Sequence, residues 1–434
     1  MSTTQTVRAQ PESAASLRPS RQRVSLIVIL LITMTVAFFD RVNISILAAN
    51  DNFVRDMGIK GHPVQIGLMM TLFLIAYGTA NVCFSPLGDV FGPRKATCSA
   101  VTLWAVAMII GGLAGGFTVI LASRLLLGLG EGIHHPMQSK YIKKWFPPQE
   151  RGRANAVWNV GTSLAPAIAM PIFAWNIAVF GWRSNFLVCV VLSLIPLYLL
   201  WFYTADSPQQ HKKVNALELQ IIEEGLAKEA KAVETASSDK FWDNARVLTR
   251  NYRFWLMIVY YSAANIVFWG MFSWLPSYLK LARGFSWTQM GMLSSLPFIF
   301  AVLGKAGSGW LSDRVGRYAP FCLGAVLTAA ACTYFGAIVH SNIASAVLLS
   351  FGTGALLSGT PPAWTLLQGL VPSRTVSVAA GSMNGIASAV SAASPLMIGF
   401  LIGHTGTYAS GLFFMVGSAL VAAAVILTLV IQKY

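Results

Sequence analysis

Runs of about twenty apolar residues recur from position 24 to position 430, split by polar breaks into about twelve segments. A helix of about twenty residues crosses a hydrocarbon core of roughly 30 Å. Inside that core no water satisfies the backbone N–H and C=O groups. A spanning segment must therefore be a helix or a strand of a closed barrel. Barrel strands run to about ten residues and alternate in polarity, and this chain has no such alternation. Its charged fraction is 11%, far below the roughly 25% of a soluble domain. The fold class is all-α membrane.

The apolar runs place spans near residues 24–47, 65–87, 96–115, 118–141, 154–180 and 184–202. After one long polar stretch they resume near 254–278, 288–311, 320–340, 343–368, 375–402 and 409–431. Four regions follow. Residues 1–23 are polar, lack an apolar core and read as a disordered cytoplasmic tail, not a cleaved signal. Residues 24–203 form a first six-helix bundle and residues 254–434 a second. Residues 204–253 are a charged linker, in which apolar residues at helical spacing from Asn215 predict a helix on the cytoplasmic surface.

The formal net charge of +15 invites a nucleic-acid partner, but its distribution argues against one. Arg8, Arg18, Arg21 and Arg23 precede the first span. Arg94 and Lys95, then Lys140 to Arg153, then Arg314 and Arg317, cluster on alternate loops. That is the positive-inside pattern, which places both termini in the cytoplasm of a multi-pass protein of the cell (inner or plasma) membrane. The five cysteines lie in or beside apolar segments without metal-ligand spacing, so neither a metal site nor a disulfide framework is expected.

Four charged residues break the apolar pattern: Asp40, Arg41, Arg124 and Glu131. A charge at the bilayer centre costs about 2.5–3.5 kcal/mol on insertion scales. Such groups persist where they face one another or a wet cavity. Arg124 and Glu131 are seven residues apart, about 10.5 Å along one helix face, so each needs a partner from another helix. Asp40 and Arg41 point about 100° apart on theirs.

An internal repeat divides the chain. Ser85-Pro-Leu-Gly-Asp-Val-Phe-Gly-Pro-Arg-Lys follows the second span, and Gly309-Trp-Leu-Ser-Asp-Arg-Val-Gly-Arg-Tyr follows the eighth. Each copy sets an aspartate (Asp89, Asp313) at a helix end, then glycine for a tight turn, then basic residues. The second copy resembles the loop signature of the major facilitator superfamily. More narrowly, the chain resembles that superfamily's anion:cation symporters, which include bacterial sugar-acid transporters and vesicular glutamate and sialic acid carriers. The matching residues are Phe39-Asp-Arg-Val-Asn-Ile-Ser-Ile, Arg124-Leu-Leu-Leu-Gly-Leu-Gly-Glu-Gly, Trp145-Phe-Pro-Pro-Gln-Glu-Arg-Gly-Arg-Ala and Trp274-Leu-Pro-Ser-Tyr-Leu.

The resemblance implies twelve helices in two six-helix bundles around a central cavity, and proton-coupled uptake of an organic carboxylate anion. It implies Asp40 and Glu131 as proton-coupling acids and Arg41 and Arg124 as cations on the substrate path. Tyr77 and Asn384 match polar positions of that path. Asp89, Arg94, Asp313, Arg314 and Arg317 read as gate elements. The coupling ion is the proton, with no other cofactor; the partners are a small organic anion and the bilayer, and the protein acts as a monomer. Several positions depart from the sugar-acid pattern: Phe38 for Tyr, Thr162 for Gln, Ser388 for Asn, and His134-His135-Pro136 for small or aromatic residues. Adjacent histidines point to different sides of a helix, so one of them, taken here as His135, shapes the cavity together with Thr162. Fewer hydroxyl-reading groups favour a less hydroxylated carboxylate, which leaves an uncoupled or exchange-type transporter of aromatic or small dicarboxylic acids as the alternative.

The chemistry suits symport. Burial and a nearby arginine act in opposite senses on a carboxyl group, so an acid that alternates between the two environments takes up and releases a proton. Arginine makes two charge-assisted hydrogen bonds to one carboxylate. A membrane sensor would need a signalling domain, for which the loop and tails are short. An enzyme would need a nucleophile–base pair or a metal cluster, and none stands out.

Overall fold

The computed structural model describes residues 18–84, 86–235, 248–372 and 375–434. Among the described residues, twelve helices are long and apolar enough to cross a membrane. They are α1 (Gln22–Leu47), α2 (Pro63–Cys83), α3 (Pro93–Gly112), α4 (Phe117–Trp145), α5 (Pro148–Phe180) and α6 (Trp182–Tyr203) in the first half. In the second half they are α7 (Tyr252–Ala282), α8 (Trp287–Val315), α9 (Ala319–Ile338), α10 (Asn342–Leu370), α11 (Val378–Thr405) and α12 (Tyr408–Ile431). No strand occurs among the described residues. Each expected span is a helix, with bounds shifted by a few residues.

Within the first half, α4 packs against α2 and α3, and α1 against α5 and α6. Small residues make the first of these contacts possible. A Cβ at Gly128 would press on the Phe73 carbonyl and one at Gly132 on the Tyr77 carbonyl, while Gly130 faces the Ala100 carbonyl of α3. Glycine permits this approach where lipid supplies no hydrophobic force between helices. The second half repeats the plan, with α8 on α10, α9 on α10 and α12, and α7 on α11 and α12. The halves meet along α5–α8 and α2–α11, with α1 and α7 in contact at the centre.

Prolines mark the breaks. In α5 the helix is interrupted at Val160, ahead of Pro166 and Pro171. In α10 the break falls at Gly359, just before Pro361 and Pro362, and in α11 at Ala392–Ala393, just before Pro395. A proline removes one backbone hydrogen bond and clashes with the preceding turn, so these helices are interrupted there; α5 and α11 lie at the contact between the halves, and α10 packs within the second half.

At the end opposite the termini the halves are locked together. The Leu396 N–H donates to Thr71 Oγ1 at 3.2 Å, Trp287 Nε1 donates to the Ala174 carbonyl, and a Cβ at Gly67 would press on the Pro395 carbonyl. Nearer mid-membrane, Lys305 Nζ on α8 donates to Ser163 Oγ on α5 at 2.8 Å.

The tail and linker meet at the other end. Residues 1–17 of the tail lie outside the described residues. The remainder is ordered: the buried Glu218, on the surface helix Ala216–Thr235, accepts from Ser20 Oγ and from the backbone N–H of Gln22 and Arg23. It therefore caps the start of α1, where unpaired N–H groups favour a carboxylate. Arg23 joins Glu218 at 3.2 Å to Glu150 at 2.6 Å, the first turn of α5.

Candidate functional site: a buried charge cluster beside the interface of the halves

Consecutive positions on α1 send Arg41 and Asp40 to different places. Arg41, 5% exposed, points toward the meeting of the halves. Its Nε donates to Glu131 Oε2 on α4 at 2.6 Å. Four rings surround the guanidinium: Phe38 at 4.4 Å, Tyr77 at 4.7 Å, Phe73 at 5.3 Å and, from the second half, Trp269 at 5.8 Å. Each lies within the roughly 6 Å over which a ring face attracts a cation. The close α2–α4 packing at Gly128 and Gly132 brings Tyr77 and Glu131 to the same cation.

Asp40, fully buried, turns into the first bundle. Neither of its carboxylate oxygens meets a nitrogen or oxygen donor, and the only donor beside it is a weak one, the Cys189 thiol. Around it stand Arg124 and Glu131 of α4, Arg41 of α1 and the Cys189 thiol of α6. Arg124, 1% exposed, reaches the Met108 sulfur at 3.9 Å, and its Nε has no partner. Asp40 and Arg124 thus lie behind the Arg41–Glu131 pair. The second Glu131 oxygen, Oε1, is buried without a partner. Unpaired buried charge costs several kcal/mol per ion, so these unpartnered atoms single the cluster out as the candidate site.

The histidines part as adjacent helical positions do. His134 lies 2.7 Å from Gln138 Nε2 and edge-on to Trp104, inside the bundle. His135 meets Trp158 of α5 edge-on, with centroids 5.3 Å apart. Thr162 is half-buried and donates to the Asn159 carbonyl of its own helix at 2.8 Å. Asn384 is half-buried on α11, in the second half. The structure therefore joins Arg41, Glu131 and Tyr77 directly, sets Asp40 and Arg124 one layer behind, and leaves His135, Thr162 and Asn384 on separate helices around them. No group of three metal-binding side chains occurs among the described residues.

The motif residues stay within their own halves. Asp89 pairs with Lys140 Nζ at 2.7 Å, and this donor holds its carboxyl below the usual carboxylate range. The Arg94 backbone N–H donates to Asp206 Oδ1 at 2.7 Å, and its guanidinium lies over Trp201 at 5.4 Å. Gly92 sits at φ +82°, and a Cβ there would strike the same Asp206 carboxylate. In the second copy Asp313 is exposed, Arg314 lies over Trp310 at 5.4 Å, and Arg317 Nη2 donates to the Val430 carbonyl of α12 at 3.2 Å.

Sequence reasoning missed Phe73 and Trp269, two of the four rings around Arg41. An aromatic residue within an apolar helix gives no signal of its own; only the packing of α2 on α4 and of α7 on α1 brings these two to Arg41.

A family model described as Major Facilitator Superfamily matches residues 30–395. The chain is 32% identical over 409 residues to a probable sulfoacetate transporter of Cupriavidus necator, covering 92% of this chain and 91% of that protein. It is 28% identical over 427 residues to a probable galactarate/D-glucarate transporter of Escherichia coli, covering 93% and 92%. To a hexuronate transporter of Bacillus subtilis it is 27% identical over 423 residues, covering 93% and 94%. A solved bacterial homologue of the human lysosomal transporter Spinster, inward-facing and unoccupied, superposes with a TM-score of 0.75 at 17% identity, covering 93% of this chain and 96% of that one. A D-xylose–proton symporter superposes at 0.70 with 15% identity, covering 94% and 97%. At such identities the structural likeness speaks for the fold alone.

Proposed function

The chain belongs to the major facilitator superfamily, and from that premise we propose that it imports an organic carboxylate anion, a sugar acid or a related carboxylate, by proton symport with alternating access. It is a multi-pass membrane transporter, not an enzyme, and relatives along nearly its whole length are named as carriers of organic anions. The observation that carries the reading is the buried Arg41–Glu131 pair at 2.6 Å, set where α1 meets α7.

Glu131 already neutralises Arg41 and occupies its Nε, so a second carboxylate brought to the free Nη side meets a repelling charge at close range. Protonation of Glu131 removes the competing charge, and Arg41 then takes the substrate carboxylate with two charge-assisted hydrogen bonds. Loss of that proton restores the pair and expels the anion. Asp40 is the second titrating group; its charge and that of Glu131 repel, so the two sites load as a coupled pair. Tyr77, His135, Thr162 and Asn384 surround the anion, and Arg124 balances Asp40 from behind. The basic residues Arg94, Lys140, Arg151 and Arg317, at the end that holds both termini, support a cytoplasmic placement of that end in the cell's inner or plasma membrane.

The aromatic ring set around Arg41 favours a second substrate reading, an aromatic or small dicarboxylic acid with few hydroxyls, carried by exchange. The test is uptake into proteoliposomes by the purified protein under an imposed proton gradient, with sulfoacetate, D-glucarate, benzoate and succinate as probes. Symport predicts accumulation above equilibrium when the outside is acid, collapsed by a protonophore. Accumulation that ignores the gradient while exchange of preloaded anion proceeds would establish the exchanger instead.

A further inference from the structure

Three buried asparagines form a file inside the first bundle that the substrate path does not explain. It begins at the tight α5–α6 turn, at the end opposite the termini. There half-buried Ser184 donates to the exposed Gly181 carbonyl at 2.6 Å. Asn176 Nδ2 on α5 donates to Ser184 Oγ at 2.7 Å and to Asn185 Oδ1 on α6 at 2.7 Å. Asn185 Nδ2 then donates to Asn43 Oδ1 on α1 at 3.3 Å. Asn185 and Asn43 are fully buried. Asn43 Nδ2, the last donor of the file, has no partner.

Asn43 is three residues after Asp40 on α1, so the two side chains are neighbours on one helix face, with Cβ atoms about 5–6 Å apart. A file of amides thus starts at a solvent-facing turn and ends one helical turn from a carboxylate whose only neighbouring donor is a thiol. The halves themselves are locked at this same end, by Thr71 with Leu396 and by Trp287 with Ala174. The file runs inside one bundle and bypasses that lock.

We propose that Ser184, Asn176, Asn185 and Asn43 form a proton path that admits a proton to Asp40 from the end opposite the termini while the substrate path is closed there. The inference rests on the reading of Asp40 as a proton-coupling acid. An amide does not itself carry the proton. The carrier is water: where these direct amide bonds open, water takes their place on the same donors and acceptors and passes the proton along, and buried water needs two to four such partners. The proton comes from bulk water at the α5–α6 turn and ends on an Asp40 carboxylate oxygen. The charged or titratable groups facing that oxygen are Arg124 and Glu131 from α4, Arg41 from α1 and Cys189 from α6. Bulk-side protons therefore reach Asp40 before Glu131, because the file meets α1 at Asn43, next to Asp40, while the Arg41–Glu131 pair lies beyond it toward the second half.

The test needs no substrate. Infrared difference spectra of the purified protein in nanodiscs isolate the Asp40 carboxylic C=O band by subtracting Asp40→Asn. Transfer into D2O shifts that band, and the rate of the shift reads access. Asn185→Val and Asn43→Val should each slow it at least tenfold, and Asn185→Ser should restore it. A bulky maleimide on Ser184→Cys should slow it equally. Thermal unfolding checks that each variant is folded, and the two valine variants stand in for each other if one is not. An unchanged rate in a folded valine variant, or in the labelled Ser184→Cys protein, overturns the path. Absence of any Asp40 band from acid to alkaline pH overturns the symport assignment of Asp40 instead.

Discussion

Glu131→Gln keeps the side chain's size and removes its charge. In the wild type that charge meets the Arg41 guanidinium at 2.6 Å, with both side chains buried. Removing one partner of a buried pair costs about 3–5 kcal/mol, because the remaining charge is left uncompensated. At 1.4 kcal/mol per decade, that is a penalty of roughly a hundredfold to several thousandfold. It falls on the substrate-free form. A carboxylate substrate that binds Arg41 supplies the missing counter-charge, so part of the penalty returns as affinity. The expected outcome is anion binding at least tenfold tighter than wild type, nearly independent of pH between 5 and 8. Concentrative uptake should be lost, because no proton now releases Arg41, while exchange of preloaded anion persists. Calorimetric titration of the purified protein at three pH values measures the first effect, and proteoliposome uptake the second. Weaker anion binding in Glu131→Gln, or an undiminished pH dependence, would refute the competition between Glu131 and substrate for one arginine.

Two further predictions follow from the interface and the motif. Gly67→Leu puts a side chain against the Pro395 carbonyl. Overpacking costs about 1–3 kcal/mol and opposes closure of the halves at that end, so a cysteine placed at Val64 should label faster with an impermeant maleimide and transport should fall. Asp89 is held below the usual carboxylate range by its hydrogen bond to Lys140; any stability it lends is present above the unfolded value near 3.9 and is lost only as pH falls below about 4. Asp89→Asn should therefore leave the midpoint of the uptake–pH profile between pH 5 and 8 in place, whatever its effect on rate.

The architecture was legible because its cause is local. Twenty apolar residues in lipid form a helix wherever they lie, and the shifts at span ends reflect helices that run on into the interface, as α4 does from Tyr141 to Trp145. The cluster was legible as a set of residue types: Asp40, Arg41, Arg124 and Glu131 stand out because their charges are costly in that solvent. Their pairing was not. Nothing in the order of residues says that Arg41 takes Glu131 while Asp40 and Arg124 stand behind, nor that Trp269 reaches across from the second half. The histidines divided as adjacency requires, but only the packed bundle shows His134 turned to Gln138 and His135 to Trp158.

The sequence by itself determined the solvent, the twelve crossings, the two-fold repeat and the few groups able to handle charge, because each follows from the cost of exposing polar atoms to hydrocarbon. The tertiary structure alone decided which of those groups meet. A helix turns 100° per residue, so a small change in rotation or tilt redirects every side chain on it. That rotation is set by where glycines such as Gly128 and Gly132 let one backbone approach another.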